Sequence, residues 1–355
     1  MNENRGSRQT PEPLVLVTRG SFVESVHAGH LCAVDGDGRE VARVGSSDAV
    51  SFMRSATKPF QALPLVASGA AARFGFDEGQ LSIACGSHDG THAHTGAVLS
   101  MLSKTGLAAS HLKCGAHEPY SKEAARALCE RGEEPAAVHN NCSGKHAGML
   151  ALALQLGADP ARYDEPDSPA QRAIFSAVSR FAGTPERDLR FATDGCGVPT
   201  FALPVSVMAR MFARFVAAAG GGGEGSGPED AAAARRIVTA MTARPEMVEG
   251  DGELDTEVMR AARGRLVSKV GAEGVYCAGL LPCERWPRGL GLAFKIEDGD
   301  KGDRARPRAA VEALRQLGAL DEEGLRALSK FSDVTLTNHR GDTVGEARPA
   351  FRLDA

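Results

Sequence analysis

The chain is 355 residues long, with 43% hydrophobic and 24% charged residues, and its 45 acids against 41 bases leave a net charge of −4. Such a chain buries roughly 75% of the surface it exposes when unfolded, enough for one large domain or two modest ones. With no long basic run and an aromatic content of 5%, including three Tyr and one Trp, it has neither the electrostatic footprint nor the stacking platforms of a nucleic-acid binder.

The opening "MNENRGSRQTPEP" (1–13) is polar, lacks the apolar core of a secretory signal, and is read as a disordered N-terminus. No stretch approaches 18 consecutive apolar residues, so no membrane span and a cytoplasmic location are expected. Residues 13–45 hold short apolar runs around "DGDG" (35–38), a hairpin signal, and read as two or three strands. Next, "FQALPLVASGAAARF" (60–74) has helical spacing. A helix beginning at Ser55 or Ala56 keeps Pro59 in its first turn, where amides lack intrahelical partners, and puts Ser55 at the positive end of the helix dipole.

Further helices are expected at 95–106, 122–132, 145–156, 168–182, 203–219, 230–244 and 307–318, with a flexible glycine-rich loop at 219–229. Strands follow at about 265–281, 290–297 and 333–338. Strands open and close the chain and helices fill its middle, so the expected class is α+β: an antiparallel sheet built from the N- and C-terminal segments, plus a helical region. Residues 14–320 form the expected single catalytic unit, and 321–355 a C-terminal extension.

Three stretches carry unusual chemistry: "RSATKP" (54–59), "ACGSHDGTHAH" (84–94) and "VSKVGAEGVYCAG" (267–279). In the first, Ser55 and Lys58 stand at i and i+3 and share a helix face. A serine with lysine at +3, a later serine loop and a late lysine strand occur in the same order as the S-x-x-K, S-D-N and K-T-G elements of active-site serine acyl-transferases. A serine needs a base to become a nucleophile, and burial or a second cation lowers a lysine enough to serve. Lys58 and Lys269 converging on Ser55 and Ser87 would supply this; two surface lysines that never meet are the alternative.

Two further stretches are "HNNCSGKHAGML" (139–150), with Cys142, Lys145 and His146, and "TDGCGVPTFALP" (193–204), with Asp194 and Cys196. No C-x₂-C pair exists among the eight cysteines, so these thiols read equally as small buried residues or as metal ligands. Asp194 and His146 likewise read as structural or as site residues.

The strings "RSATKPFQALPL", "GSHDGTHAHTGAVLSML", "NNCSGKHAGMLA", "TDGCGVPTFALP" and "GLGLAFKIEDGD" resemble, in order and from about residue 14 to about 318, the Rhizobium-type L-asparaginase family, also called asparaginase II. The resemblance implies a fold like that of serine β-lactamases and serine glutaminases, hydrolysis of L-asparagine to L-aspartate and ammonia, and a homodimer. It implies two serine–lysine dyads, Ser55 with Lys58 and Ser87 with Lys269, with Ser55 as nucleophile. It places Arg54 and Asp194 at the substrate's carboxylate and ammonium, and His146 nearby. It also implies zinc held by Cys142, Lys145 and Cys196, and sets Asp255 where some members carry a further cysteine. Two other readings remain at this point: a penicillin-recognising serine acyl-transferase, and a zinc- or amino-acid-binding relative that has lost its chemistry.

Overall fold

A computed structural model describes residues 10–222, 227–332 and 334–354. Residues 1–9, and the centre of the expected glycine-rich loop at 223–226, lie outside the described residues. The strands in chain order are β1 (Glu12–Arg19), β2 (Phe22–Asp35), β3 (Glu40–Val44), β4 (Val50–Phe52), β5 (Arg190–Thr193), β6 (Pro199–Pro204), β7 (Leu266–Gly271), β8 (Val275–Leu280), β9 (Leu290–Ile296), β10 (Val334–Thr337) and β11 (Thr343–Pro349). The helices are α1 (Lys58–Ala67), α2 (Ala70–Arg73), α3 (Glu78–Ala84), α4 (His92–Thr105), α5 (Lys122–Glu130), α6 (Ser143–Gln155), α7 (Pro169–Ala182), α8 (Val205–Ala219), α9 (Pro228–Ala243), α10 (Leu254–Ala261), α11 (Arg306–Gln316), α12 (Glu322–Ala327) and α13 (Ser329–Ser332). Among the described residues no helix is long and apolar enough to cross a membrane.

Eight strands form one antiparallel sheet in the order β10-β11-β1-β2-β9-β8-β7, with β3 paired to β2. This is the α+β arrangement expected from the sequence, with the chain's two ends adjacent. The tail expected as an extension is part of the sheet: β11 pairs with β1 through Val15↔Pro349, Leu16↔Arg348 and Val17↔Ala347. Strand β1 begins at Glu12, inside the segment read as disordered. Pairing explains both differences, because an edge strand's unpaired amides recruit even a short polar neighbour. A second, three-stranded sheet runs β4-β6-β5.

Helix α8 lies across β2, β8 and β9 on one face of the large sheet. Its approach is close enough that a Cβ on Gly291 of β9 would fall 1.9 Å from the Ala209 carbonyl oxygen, so only glycine fits there. Helix α11 packs on β1, β8 and β11, and α10 on β7. Apolar side chains accordingly gather in two clusters, one running from the sheet into the helical region and one including α10 and α11.

In the helical region α1 contacts α6, α7 and α9. Every residue from Lys58 to Leu65 is buried, so α1 is covered on all sides rather than along a stripe. That cover is what carries the lysine at its first position into the interior. The expected 60–74 helix is divided: α1 stops at Ala67, Gly69 turns the chain at φ 81°, and α2 follows. Helices α3 and α10, both short, and strand β11 had no clear periodic signal. Helix α3 is set instead by its capping box, Asp77 and Gln80 each accepting the other's backbone N–H.

Candidate active site

Residues Arg54–Thr57 form a 3-10 turn that runs directly into α1. Arg54 adopts φ 52°, a left-handed conformation that is strained for a side chain of this size. The turn presents Ser55, partly exposed, to a cavity of about 330 Å³ that Ser87 also lines. Among the described residues the Ser55 hydroxyl has no hydrogen-bond partner, and Lys58 does not bond to it.

Lys58 turns the other way. Its Nζ donates to the Gly86 carbonyl at 2.6 Å, lies 2.9 Å from Ser87 Oγ, and reaches the Asn141 carbonyl at 3.4 Å. The expected pairing of Ser55 with Lys58 is therefore replaced by a bond between Lys58 and Ser87. The reason is desolvation: an amine only 1% exposed must use the nearest acceptors, which belong to the loop after α3 and to the turn before α6. Burial, followed by the charges of Lys145 and Lys269, holds the Lys58 amine below the ordinary lysine range against the raising influence of Cys142.

The expected pairing of Ser87 with Lys269 is also absent. Lys269 Nζ is 2.6 Å from Asp255 Oδ2, and both side chains are fully buried. Glu249 accepts the Asp255 amide at 2.8 Å. Burial first, then the Asp255 charge, pushes the Glu249 carboxyl up to about 8.

The rest of the cavity wall was not foreseen. Asp89, Glu249, Glu253 and Asp303 make one side acidic, with Arg306 as the cation among them and the exposed ring of Tyr120 beside Asp89. Arg306 pairs with Asp303 and donates to the Gly271 carbonyl at 2.8 Å. Asp303 and Asp300 both have positive φ, 54° and 47°, in the loop between β9 and α11. The Asp89 carboxyl is pushed up to about 7 by burial and by Glu253 and Asp251. A cluster of aspartates and glycines at 297–303 was the available signal, but its place on the Ser55 cavity depends on the fold bringing residue 303 there.

Arg54 and Asp194 meet each other. Arg54 Nε lies 2.7 Å from Asp194 Oδ1, which also accepts the Gly195 amide at 2.8 Å. They sit next to the serine turn, and neither lines the cavity that holds the two serines. His146 is farther back: it is fully buried on α6, bonds Tyr163 Oη through Nδ1 at 2.6 Å, and leaves Nε2 without a partner. Tyr163 Oη also accepts the Lys113 amide at 2.8 Å.

Cys142, Lys145 and Cys196 do come together. Lys145 Nζ lies 2.9 Å from Cys196 Sγ, and all three side chains are buried. Hydrogen bonding with Cys196, reinforced by the charges of Lys145 and Lys58, holds Cys142 well below the usual thiol range against the raising effect of burial. Among the described residues no group of three His, Cys, Asp or Glu side chains is placed to hold a metal, so any metal here depends on Lys145 as a donor.

A family model described as L-asparaginase II matches residues 15–349. No curated relative matches the chain. Among solved structures the chain is similar to a probable glutaminase from Bacillus subtilis complexed with 6-diazo-5-oxo-L-norleucine, at 11% identity over 86% of this chain and 83% of that one, with a TM-score of 0.35. It is also similar to a Bacillus subtilis glutaminase in covalent complex with 5-oxo-L-norleucine, at 12% identity over 86% of each chain, with a TM-score of 0.36.

Proposed function

The chain belongs to the L-asparaginase II family, and from that premise we propose that it hydrolyses the side-chain amide of L-asparagine to L-aspartate and ammonia through an aspartyl-enzyme. The observation that carries this reading is the buried Lys58 amine 2.9 Å from the Oγ of Ser87, which lines the same cavity as Ser55.

Ser55 is the attacking hydroxyl. Its proton passes through Ser87 to Lys58, which is neutral when it donates to the Gly86 carbonyl and accepts from Ser87. The tetrahedral adduct collapses by breaking the C–N bond, and Ser87 delivers the proton to the leaving amine. Water then attacks the aspartyl ester with Lys58 again as base, releasing aspartate and free Ser55. In this reading Arg54 and Asp194, next to the serine turn, give up their mutual ion pair to take the substrate's carboxylate and ammonium.

The donor chemistry of Cys142, Cys196 and Lys145, two soft sulfurs and one amine gathered in a buried place, fits zinc once the proton on Lys145 is displaced. Bound there, zinc would act as a Lewis acid and fixed positive charge beside Lys58. Cys142→Ser is expected to reduce zinc per chain, read by elemental analysis of protein loaded and then dialysed; unchanged metal content removes Cys142 as a ligand.

The activity is tested by ammonia release from L-asparagine and L-glutamine in parallel. Faster release from asparagine supports the reading. Preference for glutamine keeps the amidohydrolase chemistry and reassigns the substrate, and no release from either overturns the reading.

A further inference from the structure

The fully buried Lys269–Asp255 pair has a role that the amide chemistry above does not use. Asp255, on α10, accepts from three consecutive residues of β7: Ser268 Oγ at 2.8 Å, Lys269 Nζ at 2.6 Å and the Val270 amide at 2.9 Å. Lys269 Nζ also lies 3.3 Å from the Val270 carbonyl oxygen. Both partners of Lys269 are acceptors, and they take two of its three N–H bonds. Ser268 Oγ gives its proton to Asp255 and takes one from Tyr276 Oη at 2.9 Å, which closes the network on that side. On the other, the Asp255 amide is held by Glu249.

Strand β7 is the edge of the large sheet, and its end, Val270 and Gly271, lines the cavity that the two serines also line. A free edge strand leaves backbone groups without strand partners. Here the ion pair takes up both the amide and the carbonyl of Val270. Removing either member alone would leave the other's charge buried without its counter-ion.

We propose that Asp255 is a positioning residue: it ties Lys269 as an ion pair to the edge of β7, so that Lys58 is the single base in turnover. The inference rests on the amidohydrolase reading. It divides the labour between two lysines that the spacing of the sequence treats alike. Lys269 then contributes through its charge and through the shape of the cavity wall.

The test is Lys269→Arg, assayed for kcat and KM beside wild type. Arginine keeps the charge and the bond to Asp255 but does not release a proton at any working pH. The expected result is a kcat within about tenfold of wild type, with the larger change in KM because the wall shifts to accommodate a bulkier group. A loss of roughly 10²–10⁴-fold in kcat with an intact melting transition shows Lys269 to be a proton carrier and overturns the proposal.

If arginine is too large to fold, the double variant Asp255→Asn/Lys269→Met removes the pair together. Either single variant leaves one uncompensated buried partner and is expected to melt below both wild type and the double variant. The double variant is expected to retain turnover and to show its deficit in KM. A double variant that melts like wild type but has lost kcat to the same extent as Lys58→Met also overturns the proposal. Wild-type turnover in the same assay tests the amidohydrolase reading separately: if it is absent, that reading fails, while the melting cycle still measures the coupling of Asp255 to Lys269.

Discussion

Ser55→Ala is expected to reduce ammonia release from L-asparagine on the order of 10⁴–10⁶-fold, the scale seen when a nucleophile is removed from a serine hydrolase. The fold should be undisturbed, because the Ser55 side chain is partly exposed and makes no hydrogen bond within the described residues. Ser87→Ala should also be slow, but for a different reason: it breaks the path from Ser55 to Lys58 and removes the donor to the leaving amine. The two are separated by acid-quenching each variant during turnover and weighing the intact protein and its peptides. Any aspartyl adduct trapped in wild type or in Ser87→Ala should sit on the peptide carrying Ser55, and Ser55→Ala should carry none. An adduct on Ser87, or substantial turnover in Ser55→Ala, makes Ser87 the nucleophile, with Lys58 as its immediate base at 2.9 Å.

Lys58→Met carries the second large effect. It keeps an unbranched side chain in a buried helix and removes only the base, so kcat is expected to fall roughly 10²–10⁴-fold. The pH profile gives the sharper reading. Burial favours the neutral amine, so the Lys58 value lies below that of an ordinary lysine and the active, deprotonated form appears at lower pH than it otherwise would. Activity of the wild type should therefore rise with pH and level off as Lys58 loses its proton. In Lys58→Met the residual rate should lack that rise. A rise of the same shape in the variant would assign the ionisation to another group, with the raised carboxyls of Asp89 and Glu249 the first to examine.

The two lysines illustrate what spacing conveys and what it leaves open. That Ser55 and Lys58 stand at i and i+3 at the start of a helix was legible, and the turn and α1 are where that spacing put them. The direction of the Lys58 side chain was not. A long amine in the interior goes to the acceptors that surround it, and Gly86, Ser87 and Asn141 are 28, 29 and 83 residues away along the chain. Asp255 presents the same problem in reverse: a carboxylate in a short helix looks solvent-facing by sequence until a strand that begins 11 residues later places a lysine on it.

The thiols gave a mixed outcome. Without a C-x₂-C pair, the separation of Cys142 from Cys196 left their meeting open on spacing alone, and the family resemblance was what joined them with Lys145. His146 shares the helix with Lys145, but adjacent helical positions face different directions, and it is directed at Tyr163 instead of the cavity.

By itself the sequence determined the class of the fold, the meeting of its two ends in one antiparallel sheet, the serine-bearing turn at the head of a buried helix and, through its long family-like strings, the residues most worth examining. Those features depend on local periodicity, turn chemistry and short-range spacing, which are written along the chain. Only the tertiary structure decided that Lys58 bonds Ser87, that Asp255 pairs with Lys269, and that residues 89, 249, 253 and 303 line the cavity of the serines. Those choices come from burial: once water is excluded, each charged or polar group must bond to whatever acceptor or donor the packing brings within about 3 Å.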